Sequence, residues 1–160
     1  LRRTRSASAV PTVLRALRDG FAGLFADVTV TLGAEYDETP GTRIWVGLDD
    51  PETQANPSSA RSRQVPATMG GTRNRDETGE VACAVLVQVG QLGSMDEALD
   101  QAEGVIDAIG GWLISAPFQE LPQFQKVVFG SDTQWLMPVF DSGPALLVQF
   151  SVTFVARIYP

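Results

Sequence analysis

Histidine is absent from this chain, and cysteine occurs once, as Cys83. The first absence removes Ser-His-Asp and Cys-His catalysis together with the commonest metal ligand. The second leaves no internal disulfide and no cysteine cluster for zinc or an iron–sulfur centre, so neither a bound metal nor a cofactor is expected. No apolar run approaches the ~20 residues that span a bilayer, and the arginine-rich start carries no apolar stretch of the signal-peptide kind. These shortages predict a soluble, unexported protein with no membrane contact.

What the 160 residues do contain, 44% hydrophobic and 19% charged, is enough apolar material for one domain with its own core. Net charge is −7 and unevenly spread. Residues 1–18 carry five arginines and no acid, whereas residues 80–160 carry nine acidic residues against Lys126 and Arg157. A single domain over residues 1–160 is expected, with residues 1–10 as a flexible basic arm, because Arg2, Arg3 and Arg5 sit among Ser, Thr and Ala with nothing to bury. Residues 49–79 hold Pro51, Pro57, Pro66, Gly70 and Gly71 without sustained periodicity and read as a long polar loop. Arm and loop are both expected to be mobile in a free subunit and to order on assembly.

Pro11 suits the first turn of a helix, and Val13, Leu14, Leu17, Phe21, Leu24 and Phe25 follow at three- and four-residue steps, predicting a helix over roughly 11–25. Val28–Leu32 and Arg43–Leu48 read as strands, joined by a turn-forming acidic stretch that allows a hairpin. Residues 80–89 alternate Val81, Cys83, Val85 and Val87 with Ala82, Ala84 and Leu86, apolar on both faces, which predicts a central strand. Ser94 followed by Glu97 is a capping box, opening an amphipathic helix to about Ser115 that is ~33 Å long. Ile106 falls on its apolar stripe, so Ile106→Asp is expected to collapse the fold. Phe124–Phe129, Gln134–Phe140 and Ala145–Tyr159 read as three closing strands, the last half-polar and approaching ~50 Å.

Asp96, Asp100, Glu103 and Asp107 fall at steps of four, three and four, along one face of the long helix. Carboxylates so placed can form a solvated face, meet arginines of a neighbouring subunit, do acid/base work or hold a divalent cation; the first is how an amphipathic helix normally looks. Arg61, Arg63, Arg73 and Arg75 lie in the polar loop and suit either water or an acidic partner. No aromatic residue accompanies them for base stacking, which argues against reading of nucleic acid. Trp45, Trp112 and Trp135 read as core anchors, and Cys83 as a buried, inert thiol.

The order of helix, two strands, polar segment, strand, long amphipathic helix and three strands carries five diffuse motifs: PTVLRALRDGF, RIWVGLDDP, GEVACAVLVQVG, SMDEALDQAEGVIDAIGGWL and LLVQFSVTFVARIY. In this order and these motifs, over most of residues 11–159, the chain resembles the tail terminator proteins of long-tailed phages, of the minor tail protein U type. More loosely it resembles head-tail joining proteins of similar fold. The length of segment 49–79 departs from the pattern. The resemblance implies an α+β fold, with one mixed or mainly antiparallel sheet, two main helices packed on it, and subunits assembled as a hexameric ring. It further implies a structural virion protein rather than an enzyme, at the head-proximal end of the tail and in the host cytoplasm during assembly. Its partners would be the tail tube protein and the head connector protein, with DNA passing through the lumen without sequence-specific binding. Asp96, Asp100, Glu103, Asp107, Arg61, Arg63, Arg73 and Arg75 are then the candidate subunit or partner contacts. Two other classes remain: a head-tail connector (neck) ring, and a small α+β ligand-binding domain or enzyme with a pocket joining the acidic helix face to polar groups elsewhere.

Overall fold

The computed structural model of the chain describes residues 7–33, 41–48, 60–67, 74–115, 118, 121, 123–140 and 143–158. Among them, helix α1 spans Val10–Leu24, with Pro11 in its first turn and Val13, Leu17 and Phe21 buried at four-residue steps. Strands β1 (Val28–Leu32), β2 (Thr42–Val46), β3 (Ala60–Pro66) and β4 (Arg75–Gln88) follow. Helix α2 (Met95–Ile114) leads to β5 (Phe124–Phe129), β6 (Gln134–Leu136), β7 (Val139–Phe140) and β8 (Gly143–Ile158). The architecture is α+β, with both helices on one face of a mixed, mostly antiparallel sheet.

Two long antiparallel strands form its centre, since β4 and β8 pair from Arg75 opposite Ile158 to Gln88 opposite Ala145. Each is flanked by a partner that comes in pieces. Along β4 run β2 (Thr42 opposite Val87) and then β3 (Ala60 opposite Val81), while β5, β6 and β7 follow one another along β8. β1 lies beside β2 in parallel, not as a hairpin. Val28 faces Thr42 and Leu32 faces Val46, so the chain leaves β1 at one end of the pair and enters β2 at the other.

The polar loop expected over 49–79 contains structure: residues 60–66 are β3 and residues 75–79 begin β4. β3 carries Arg61, Ser62, Arg63 and Gln64, so no apolar alternation marks it, yet its backbone pairs with β4 over seven residues. The basic arm is also shorter than expected. α1 begins at Val10, the Ala9 N–H donates to Glu77 at 2.6 Å, and the Ser8 hydroxyl donates to the same carboxylate at 2.7 Å. Mobility expected of residues 1–6, 49–59 and 68–73 concerns positions outside the described residues.

Strand alternation sets the core. Ile44 and Val46 of β2, the odd-numbered residues from Val81 to Val87 of β4 and the even-numbered residues from Leu146 to Ile158 of β8 point at the helices and bury a shared cluster with Val13, Leu17, Phe21, Val105 and Ile109. On the opposite, outer face Trp45, Leu48, Ala84, Leu86, Ala145 and Leu147 form a smaller buried cluster, and the Arg43 guanidinium lies 5.9 Å from the Trp45 ring centroid. Trp135 departs from the anchor reading, being 39% exposed on the short strand β6.

An aromatic chain ties the helices to the sheet. Phe129 stacks on Phe150 at 5.2 Å, Phe150 meets Phe21, and Phe21 meets the Trp112 ring edge-on at 5.6 Å. Gly20 allows this, because a Cβ there would lie 2.1 Å from Cζ2 of Trp112, whose ring is also held by Phe118. Alanine at a helix interior normally gains about 1 kcal/mol over glycine, but forcing the ring aside costs about 1–3 kcal/mol. Gly20→Ala should therefore lower the unfolding free energy in a urea titration; a gain would show that the ring yields freely.

Candidate functional site

Four carboxylates of α2, Asp96, Asp100, Glu103 and Asp107, are exposed on the side of the helix opposite its buried stripe of Ala98, Ala102, Val105, Ile109 and Leu113. The local cause is the 3.6-residue period, fixed in phase by the cap in which the Ser94 hydroxyl accepts from the Glu97 N–H at 3.2 Å. No basic residue occurs in the helix. No ion pair joins these four carboxylates to another described residue.

The arginines divide. Arg61 and Arg63 stand opposite Glu80 and Thr78 and so belong to the outer face of the sheet, away from both helices. Arg75 stands opposite Ile158 and takes the helix side of β4 at its first residue; all three are exposed. Arg73 lies outside the described residues. The fold thus places the acidic stripe and the Arg61–Arg63 pair on opposite sides of one sheet, where they cannot meet within a subunit.

The outer face also holds a concavity. The flanking strands break at the same level on both sides, between β2 and β3 and between β5 and β6, and the row Ala82–Ser151 lies between the breaks. The open groove so formed has a volume of about 430 Å³ and is lined by Arg61, Glu80, Asp132, Thr133, Gln134 and Gln149 among others. It does not include the α2 carboxylates. Among the described residues, no group of three or more Cys, Asp or Glu side chains is placed to hold a metal ion. Among the described residues, no helix is long and apolar enough to cross a membrane.

Cys83 is fully buried, and desolvation pushes its thiol up to about 12, the nearby Gly47 backbone acting weakly the other way. A thiolate nucleophile is not formed there at neutral pH.

Sequence reading missed two ionic features. Asp76 and Arg157 lie directly across β4 and β8 and pair through two hydrogen bonds, 2.9 and 3.2 Å, which hold the Asp76 carboxyl below the usual carboxylate range. Glu77 points the other way, 0% exposed beneath the start of α1. Its burial raises the carboxyl, but the Ala9 N–H, the Ser62 and Ser8 hydroxyls and the Gln64 amide outweigh that and leave it lowered. The signal was a charge on the core side of a period-two pattern, had that pattern been carried back from Val81 through Gly79.

No protein-family model matches the chain, and no curated protein matches it.

Proposed function

We propose that this chain is a structural ring subunit of the tail terminator type: a homo-oligomer, expected to be a hexamer, that caps the tail tube of a long-tailed phage and joins it to the head connector. Subunits of a closed ring meet head to tail, so each must carry two different and complementary surfaces. The observation that carries the reading is the disposition of charge, an acidic helix face on one side of the sheet and Arg61 with Arg63 on the other, with no ion pair at these side chains among the described residues. Two features add support. The fold is the α+β arrangement of sheet and two helices that the resemblance implies, and β8 is a sixteen-residue strand whose outer face, buried at Ala145 and Leu147, is half-buried and mostly polar from Gln149 to Arg157. The candidate residues do not converge in a pocket, which favours a contact role over catalysis.

Tail tubes assembled with the purified protein should stop at a defined length with a ring at one end in electron micrographs, and tubes assembled without it should grow on. Rings that bind DNA-filled heads and leave tubes uncapped would assign the protein to the neck instead. Tubes of equal length with and without the protein would overturn the reading.

A further inference from the structure

We infer that the outward face of α2 is a docking surface for β3 of a second copy of this chain, with Glu103 meeting Arg61, Asp107 meeting Arg63 and Ile114 meeting Val65. The contact rests on the ring reading and specifies how its two surfaces join.

Three features of the α2 face have no explanation among the described residues of the subunit. The first is charge of one sign: five carboxylates and no base in a twenty-residue helix, so the i,i+4 pairs that usually relieve such a face are missing. The second is glycine. Gly104 and Gly111 lie on the same outward face, and a Cβ at either would meet no atom within 4 Å. Glycine is a poor helix former, and among the described residues no neighbour requires it here; a backbone from a second copy that comes close to the helix would. The third is Ile114, which continues the row of Asp100 and Asp107 at seven-residue steps and is 86% exposed. A row of anions with small gaps between them ends in a bare apolar residue.

The outward row of β3 has the complementary order. Arg61, Arg63 and Val65 alternate to the outer face, both arginines are exposed, and Val65 is 42% exposed. Along the strand Arg61 and Arg63 are ~6.8 Å apart, and along the helix Glu103 and Asp107 are ~6 Å apart. Beyond them Val65 lies ~7 Å past Arg63, and Ile114 ~10 Å past Asp107, a difference that a long arginine side chain absorbs. Two cations and an apolar residue on an edge strand thus match two anions and an apolar residue on a helix, in one register and one chain direction. The edge position of β3 leaves room for the approach, and like-charge repulsion disfavours helix-to-helix or strand-to-strand pairing of the same surfaces.

Charge exchange tests the pairing by sedimentation at 0.1 M salt. Glu103→Lys with Asp107→Lys makes both sets of contact positions basic, and Arg61→Glu with Arg63→Glu makes both sets acidic, so each double variant should lose association at least about tenfold. An equimolar mixture of the two should recover it, because each surface of one variant then faces its opposite on the other. Gly104→Leu should also weaken association while the subunit keeps its fold by circular dichroism. Double variants that assemble like the wild type, or a mixture that stays monomeric when each variant alone fails, would overturn the pairing but leave a wild-type ring intact. A wild-type protein that never assembles would instead remove the ring reading, and this contact with it.

Discussion

Ile109→Asp should leave no cooperatively folded protein at pH 7 and 25 °C. Ile109 is fully buried on α2 in the cluster shared with β4 and β8. Removing its side chain loses about 2–4 kcal/mol of apolar packing. The new carboxylate must then be desolvated or held protonated, and protonating a group of ordinary pKa at pH 7 costs about 4 kcal/mol. The sum is comparable with the whole stability of a typical domain, about 5–15 kcal/mol. Since the protonation part fades as pH falls, the variant should recover some helix content near pH 4, the reverse of ordinary acid unfolding. Circular dichroism against pH reads this directly, and a wild-type-like melt at pH 7 would show that the α2 stripe is misplaced. Ile106, singled out by periodicity, lies at the margin of the stripe and is only partly buried. A carboxylate there reaches water, so Ile106→Asp should cost about 1–2 kcal/mol and leave a folded protein.

The contrast between these neighbours shows what period alone can resolve. A 3.6-residue pattern identifies the buried side of α2 within about one residue on the helical wheel, but the deepest position depends on where the sheet lies beneath it. Features fixed within a few residues were legible for that reason: the Ser94 cap, the bounds of β1 and β5, and the two-sided burial of β4 from Val81 to Val87. Features fixed by distant partners were not. β3 is a strand because β4 offers it a ladder, not because ARSRQVP has an apolar face. The parallel seating of β1 on β2 depends equally on pairing that no local signal encodes. For the candidate contacts, sequence identified the charged residues but not their sides. Whether Arg61 and Arg75 face the same way is decided by register against β4, which puts them on opposite faces.

Glu77→Gln should be the most damaging isosteric change of a charged residue in the described fold. The carboxylate sits where the first N–H groups of α1 lack intrahelical partners, and Ala9 at the cap position has no side chain to supply one. Glu77 supplies it from 68 residues away, taking the Ala9 N–H on one oxygen and the Ser8 hydroxyl on the other, while the Ser8 oxygen accepts from the Val10 N–H at 3.1 Å. Gln64 closes the arrangement by donating to the Ala7 carbonyl at 2.6 Å. A buried anion held by donors alone, beside the positive end of a helix, is well satisfied without a cation. Glutamine keeps the shape but turns one acceptor into a donor that faces donors, which should cost about 2–4 kcal/mol at pH 7. The pH dependence follows from the lowered carboxyl. Because the folded value lies below the unfolded value near 4.5, the contribution is fully present above that pH and is lost as pH falls through the folded value. The stability gap between wild type and variant should therefore be constant from pH 6 to 8 and narrow below about pH 4.5. Denaturant titrations across this range measure it, and a gap that stays constant down to pH 3 would show that Glu77 is not the ionised anchor of the α1 start.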